Sequence, residues 1–159
     1  MKKHTNIHTG MITIGKRKLL NVLISVIKGR GNKMDCACQI DIDIDGSCDF
    51  MSQKIVKARK QHKCCECYRD IYPDEKYEYV SGVWEGNFDV YKTCIDCTSI
   101  RKALFCTYYF TELYEDLYNH LEDIDGIISE ECMLMMTIPA RIKVADMLDD
   151  YYERMEAWR

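Results

Sequence analysis

The apolar positions of the chain change period near its middle. Lys76-Tyr77-Glu78-Tyr79-Val80-Ser81 has strand character and is rich in aromatic residues. Phe88-Asp89-Val90-Tyr91-Lys92-Thr93 reads as a returning strand, with the reversal between Gly82 and Gly86 and a tight turn at Glu85-Gly86-Asn87. From Thr98 the period becomes helical. Ile100, Ala103, Leu104 and Tyr108 recur at spacings of three and four, and a second phase runs Phe110, Leu113, Leu117, Leu121 and Ile124. Residues 107–111 are poor helix formers, so a break is expected there. Asp125-Gly126 predicts a stop. Ser129 predicts the N-cap of a helix over 130–136. Thr137 and Pro139 predict the start of a last helix over 138–155, with Ile142, Ala145, Leu148 and Tyr152 on its apolar side.

Upstream of the hairpin the pattern is less regular. Leu19, Leu20, Leu23, Ile24, Val26 and Ile27 form one short amphipathic helix on paper, able to lie on an anionic membrane or to dock on the body. The run from Leu19 to Ile27 is too short to span a bilayer. Asp41-Ile42-Asp43-Ile44-Asp45-Gly46 imitates the opening of a calcium loop, but Ser52 stands where the bidentate Glu belongs. The reading adopted is an extended segment ending in an Asp-Gly turn. Residues 51–63 carry Lys54, Lys57, Arg59, Lys60 and Lys63 without an acid.

Charge divides the chain. Residues 1–33 hold eight Lys/Arg and no Asp/Glu, which leaves 14 Lys/Arg and 26 Asp/Glu in residues 34–159, a formal −12. Such a body repels nucleic acid on average, so any contact with it must be local. The mismatch marks residues 1–33 as a basic N-terminal extension, with Met34 read as the natural start. Residues 34–128 are then one zinc-binding domain with its long helix, and residues 129–159 supply C-terminal helices that pack on it.

Chemistry concentrates in the cysteines, of which there are ten. Cys64-x-x-Cys67 and Cys94-x-x-Cys97 are separated by 26 residues (94 − 67 − 1). Paired spacing of this kind points to a structural zinc site rather than disulfides. A Cys-x-x-Cys turn presents two thiolates on one side of a knuckle, and a second pair at a helix start gains from the helix dipole. Knuckle, hairpin and helix make a treble clef, so the expected fold is α+β: a treble-clef zinc module followed by a small helical part. The expected ligands of one Zn²⁺ are Cys64, Cys67, Cys94 and Cys97, with Cys65 the alternative to Cys64 and His62 a less favoured replacement. Lys63, Arg69, Lys92 and Arg101 stand near the ligands and are candidates to offset the formal −2 of four thiolates on Zn²⁺. A second site built from Cys36, Cys38, Cys48 and Cys106 is an alternative to free thiols. Cys132, among Met133, Met135 and Met136, reads as core.

The run Lys57-Ala58-Arg59-Lys60, His62-Lys63-Cys64, Cys67, Tyr77, Tyr79, Gly82, Trp84, Gly86, Phe88, Lys92-Thr93-Cys94, Cys97, Ser99 and Arg101 resembles a family of small cysteine-rich proteins of bacteriophages and prophages. The resemblance covers about residues 34–148 and is specific over 58–101. It implies a phage context, hence the cytoplasm of a bacterial host cell, and a metal site. It implies no activity. Cys48 and Cys65 depart from the family pattern.

Three functions follow. The first is a non-enzymatic interaction module that binds a host protein through an acidic helical region at Glu112, Glu115, Asp116, Glu122, Asp123 and Asp125. The second is a nucleic-acid binder, with Lys54, Lys57, Arg59, Lys60 and Lys63 on phosphates and Trp84 or Tyr91 stacking on bases. The third is an HNH-like nuclease. It is disfavoured because the hairpin from Lys76 to Thr93 carries no histidine. No small-molecule substrate and no membrane span are expected.

Overall fold

The computed structural model describes Ile40 and residues 48–158. Among them the chain is α+β, with two small antiparallel sheets followed by four helices. The amphipathic run at 19–27, the Asp41–Gly46 loop and the side chains of Cys36, Cys38 and Cys48 lie outside the described residues.

Strand β1 is Cys48–Lys57, β2 is His62–Lys63, β3 is Asp70–Ile71, β4 is Lys76–Trp84 and β5 is Asn87–Cys94. The β4–β5 hairpin turns through Glu85 and Gly86 at φ 49° and 77°, with Trp84 paired to Asn87. Both central residues are left-handed, the geometry whose twist matches a hairpin, and Gly86 carries it without strain.

The hairpin is not alone. Strand β1 pairs antiparallel with β4 along nearly its whole length, giving a three-stranded sheet in the order β1-β4-β5. The sequence Met-Ser-Gln-Lys-Ile-Val-Lys hides this strand because most of its side chains face solvent. Three strands remove the marginality of an isolated hairpin.

Side chains alternate between the two faces of this sheet. One face carries Glu78, Val80, Gly82 and Trp84 from β4, with Tyr91 and Thr93 from β5 beside them. This inner face meets the helices. A Cβ on Gly82 would collide with the Phe50 carbonyl and the Trp84 ring, so glycine lets that ring lie flat across the strand. The outer face carries Tyr77, Tyr79, Ser81 and Val83 from β4, flanked by Phe50 and Lys54 of β1 and by Phe88 and Lys92 of β5.

The helices are α1 (Ile95–Leu104), α2 (Leu113–Asp123), α3 (Glu130–Met135) and α4 (Ile138–Ala157). The predicted break separates α1 from α2, and α2 stops just before Asp125-Gly126. The Ser129 hydroxyl accepts from the Cys132 N–H at 3.2 Å, and the Thr137 hydroxyl accepts from the Ala140 N–H at 3.4 Å. Both expected N-caps are therefore in place. One core joins Ala58, Ile71 and Tyr77 to Ile100, Leu104, Leu113, Leu117, Met136 and Val144, with Cys132 buried in it.

The buried side of α4 matches the expected one only in part: Leu148 packs against the core and Ala145 is half-buried. Ala140, Val144 and Tyr151 are buried, whereas Ile142 and Tyr152 are exposed. Apolar residues surround this helix, so its pattern does not select a face. Arg141 helps to select it, donating to the Met136 carbonyl at 3.0 Å and the Leu134 carbonyl at 2.7 Å, which closes the α3–α4 corner.

Candidate metal centre

The β2–β3 knuckle turns through residues 64–69. The Tyr68 N–H bonds the Cys64 carbonyl at 3.1 Å and the Cys64 N–H bonds the Arg69 carbonyl at 2.9 Å. Tyr68 takes a left-handed φ of 58° to complete the reversal. The second pair lies where β5 runs into α1, with Cys94 as N-cap residue. Tyr77 pairs with Cys94 across the sheet, so the hairpin carries the helix start back to the knuckle.

The sulfurs of Cys64, Cys67, Cys94 and Cys97 all lie within 4.8 Å of one another. Cys67 Sγ and Cys94 Sγ are 3.9 Å apart. A tetrahedron with metal–sulfur bonds of about 2.3 Å has edges of about 3.8 Å, so the cluster has the dimensions of a metal site. Cys64, Cys94 and Cys97 are buried. The Cys94 N–H donates to Cys64 Sγ at 3.3 Å. Backbone N–H groups of Cys67, Arg69 and Cys97 also bond the sulfurs of Cys64, Cys67 and Cys94 respectively. Such donors stabilise thiolate charge without a side-chain cation. Hydrogen bonds among the four thiols hold Cys64 below its ordinary range and push Cys67 and Cys97 above theirs.

Cys65 points elsewhere. Its sulfur lies 3.3 Å from Thr93 Oγ1, and burial pushes its thiol up to about 11. His62 also stays out of the cluster. Its ring packs on Tyr77 with centroids 5.4 Å apart, and its Nδ1 lies 3.3 Å from Lys92 Nζ. Burial, followed by the charges of Lys92 and Lys60, lowers its pKa.

Of the four cations near the ligands, Arg69 alone has a sulfur partner in the structure. Burial opposes its charge, but hydrogen bonds to Cys94 and Glu75 outweigh that and raise its pKa. Lys63 bonds Asp70 at 3.2 Å instead. Arg101 turns away to a buried cluster of its own. It donates to Glu66 Oε1 at 3.1 Å and to Glu78 Oε2, and all three side chains are at most 2% exposed. Gln53 adds a bond to Glu78 at 2.6 Å. The Arg101 guanidinium lies 4.3 Å from the Tyr108 ring centroid and 5.0 Å from that of Phe110.

Each knuckle also holds a carboxylate that reaches a later helix. Glu66, inside Cys64-x-x-Cys67, accepts from the Leu113 N–H at 3.2 Å, at the start of α2. Asp96, inside Cys94-x-x-Cys97, accepts from the Thr137 hydroxyl at 2.6 Å, at the cap of α4. Ser99 Oγ accepts from the Thr137 N–H at 3.1 Å. Tyr114 on α2 places its hydroxyl 3.4 Å from Cys97 Sγ. The sequence reading missed these roles, although an acid within each Cys-x-x-Cys was the visible signal.

The other candidates fall into separate places. Lys54, Lys57, Arg59 and Lys60 are exposed along β1 and the bend after it, around an open concavity that His62, Tyr77 and Tyr79 also line. Lys57 pairs with Asp74 at 2.9 Å. Trp84 is not beside them. It belongs to the inner face, edge-on to Tyr91 at 5.4 Å and to Phe110 at 6.1 Å, while Tyr91 and Phe110 stack at 4.2 Å. Cys106 is exposed, and its N–H bonds the Ile40 carbonyl at 2.7 Å. Glu112, Glu115, Glu122, Asp123 and Asp125 are exposed on and around α2, with Asp116 half-buried.

Among the described residues no helix is long and apolar enough to cross a membrane. No family model, curated protein or solved structure matches the chain.

Proposed function

We propose that the chain is a non-enzymatic binding module whose scaffold is a treble clef closed by one structural Zn²⁺ on Cys64, Cys67, Cys94 and Cys97. The observation that carries this reading is the four-sulfur cluster of tetrahedral dimensions, three of its four cysteines buried. Four thiolates fill the coordination of Zn²⁺ and leave no position for a reactive water, which suits structure rather than hydrolysis. Zinc is favoured over other divalent ions by an all-sulfur tetrahedral set. Knuckle, hairpin and helix in that order, with one cysteine pair at the knuckle and one at the helix start, support the treble-clef reading.

Function then resides on the surfaces that the metal holds in place. The phage resemblance suggests a host macromolecule as partner. The test is metal analysis of the purified chain followed by chelation. One zinc per chain is expected, with loss of folded-state circular dichroism when it is removed. A chain that stays folded after complete chelation would sink the reading.

A further inference from the structure

We propose that the outer face of the three-stranded sheet binds single-stranded nucleic acid. The inference rests on the scaffold reading only in that the sheet must be folded.

Register places the side chains of this face in rows across the strands. Phe50, Val83 and Phe88 form one row, and Lys54, Tyr79 and Lys92 form another. Phe50 is 64% exposed and Phe88 67%. Two phenylalanines so exposed on a small sheet are not explained by packing, because this face enters the core only at its Tyr77–Cys94 end, at the opposite end of the strands from Phe50 and Phe88. They stand two strands apart, about 10 Å, which leaves room for a base against each ring. Lys54 Nζ already lies 5.4 Å from the Tyr79 ring centroid. The cationic row therefore runs beside the aromatic one, separated only by Ser52, Ser81 and Val90.

Charge selects the occupant. From Phe50 to Val56, Tyr77 to Val83 and Phe88 to Cys94, the outward positions hold two lysines and no carboxylate. This occurs on a body of formal charge −12. Arg59 and Lys60 extend the cationic strip past the end of β1. Exposed aromatic rings beside lysines on an open sheet face suit unpaired bases and their phosphates, since every base offers a π-face. A duplex hides those faces and would gain only the phosphate contacts.

The test uses the full metal-loaded chain and fluorescein-labelled oligo-dT and oligo-U of about fifteen nucleotides, the upper end of the length one such platform covers. Fluorescence anisotropy should show saturable binding of one or both that weakens with salt, and weaker binding of a duplex. The double variant Phe50→Ala/Phe88→Ala should bind about a hundredfold more weakly, since each of the two stacked bases contributes about tenfold. These side chains are exposed, so the variant should keep its zinc and its circular dichroism. Lys54→Gln/Lys92→Gln should make the log–log salt slope shallower by about 1.4, as expected for two lost phosphate contacts on a single strand.

Absence of oligonucleotide binding by the zinc-loaded, folded chain overturns the proposal and leaves the scaffold reading intact. So does binding that the aromatic variant leaves unchanged, or a polypeptide partner held at this face by a chain that ignores oligonucleotides. Oligonucleotide binding that survives complete chelation supports the face and overturns the zinc scaffold instead.

Discussion

The two faces of one three-stranded sheet reverse the usual distribution of side chains. The inner face buries charge: Glu78 sits under α1 and is met there by Arg101, which Glu66 grips from the knuckle. The outer face exposes aromatic surface at Phe50 and Phe88. A soluble sheet normally hides its rings and shows its charges. The inner charges are tolerable because each carboxylate has a hydrogen-bonding partner, and the guanidinium has two carboxylates and two aromatic rings. Phe50 and Phe88 have no such partner among the described residues, whereas Tyr77 packs on His62 and Tyr79 lies under Lys54. Burial here follows pairing rather than polarity, and among the described residues nothing covers the rings of Phe50 and Phe88.

The largest test of this contrast is the metal. Structural zinc contributes about 10–16 kcal/mol of apparent folding free energy in small modules. Chelation should unfold both faces together, read as loss of the circular-dichroism signal and of near-ultraviolet signals from Trp84 and Tyr91. Next comes the buried cluster. Arg101→Ala leaves Glu66 without its cation and Glu78 with only the exposed Lys102 at 3.6 Å, and should cost about 3–5 kcal/mol in a denaturant titration. The triple variant Arg101→Met/Glu66→Gln/Glu78→Gln should recover much of that loss, because no buried charge is left unpaired.

The effect then falls to single caps. Thr137→Ala removes the acceptor for the Ala140 N–H and the donor to Asp96, and should cost about 1 kcal/mol. Phe88→Ala on the outer face should change stability by less than about 0.5 kcal/mol, the range of surface substitutions. Equal losses for Phe88→Ala and Thr137→Ala would erase the distinction between the faces.

The smallest effect concerns pH. Asp116 is pushed above the usual carboxylate range by burial and by the charges of Glu112 and Glu115, and one of its oxygens is buried without a partner. Its folded-state pKa exceeds the unfolded one, so the native state holds the proton more tightly. Its contribution is best at acid pH and is lost as pH rises through the folded pKa. Asp116→Asn should therefore stabilise by a few tenths of a kcal/mol at neutral pH, the scale of like-charge pairs along a helix. In thermal melts the advantage should vanish once Asp116 is protonated in both states.

What the sequence made legible was local. Ser129, Thr137-Pro139, Glu85-Gly86 and the two Cys-x-x-Cys pairs each fix backbone geometry within a few residues, and each stands where it was expected. The four converging thiols were legible for the same reason, because pair spacing implies a shared centre. Spacing alone does not choose between Cys64 and Cys65; the fold turns Cys65 to Thr93, a partner 28 residues away.

The misses were long-range. Strand β1 pairs with β4 across an intervening knuckle, and its polar residues look like a loop until the partner is known. Arg101 stands near the ligands in sequence and is a candidate to offset the thiolates, yet it serves Glu66 and Glu78. Nothing short of the folded sheet brings those three together. The nucleic-acid reading of the sequence groups Trp84 with Lys54; the alternation of β4 puts them on opposite faces.

The carboxylates inside the two knuckles have a consequence for the order in which the molecule is made. Glu66 is 47 residues ahead of Leu113, and Asp96 is 41 ahead of Thr137. On a ribosome, each acceptor emerges well before the helix start it will receive. Once the first knuckle closes, the nascent α2 meets a docking point already waiting for its first turn. The same holds for α4 after the second knuckle. Synthesis from the N-terminus thus delivers template before client, and a chain circularly permuted to make its C-terminal helices first should lose that advantage.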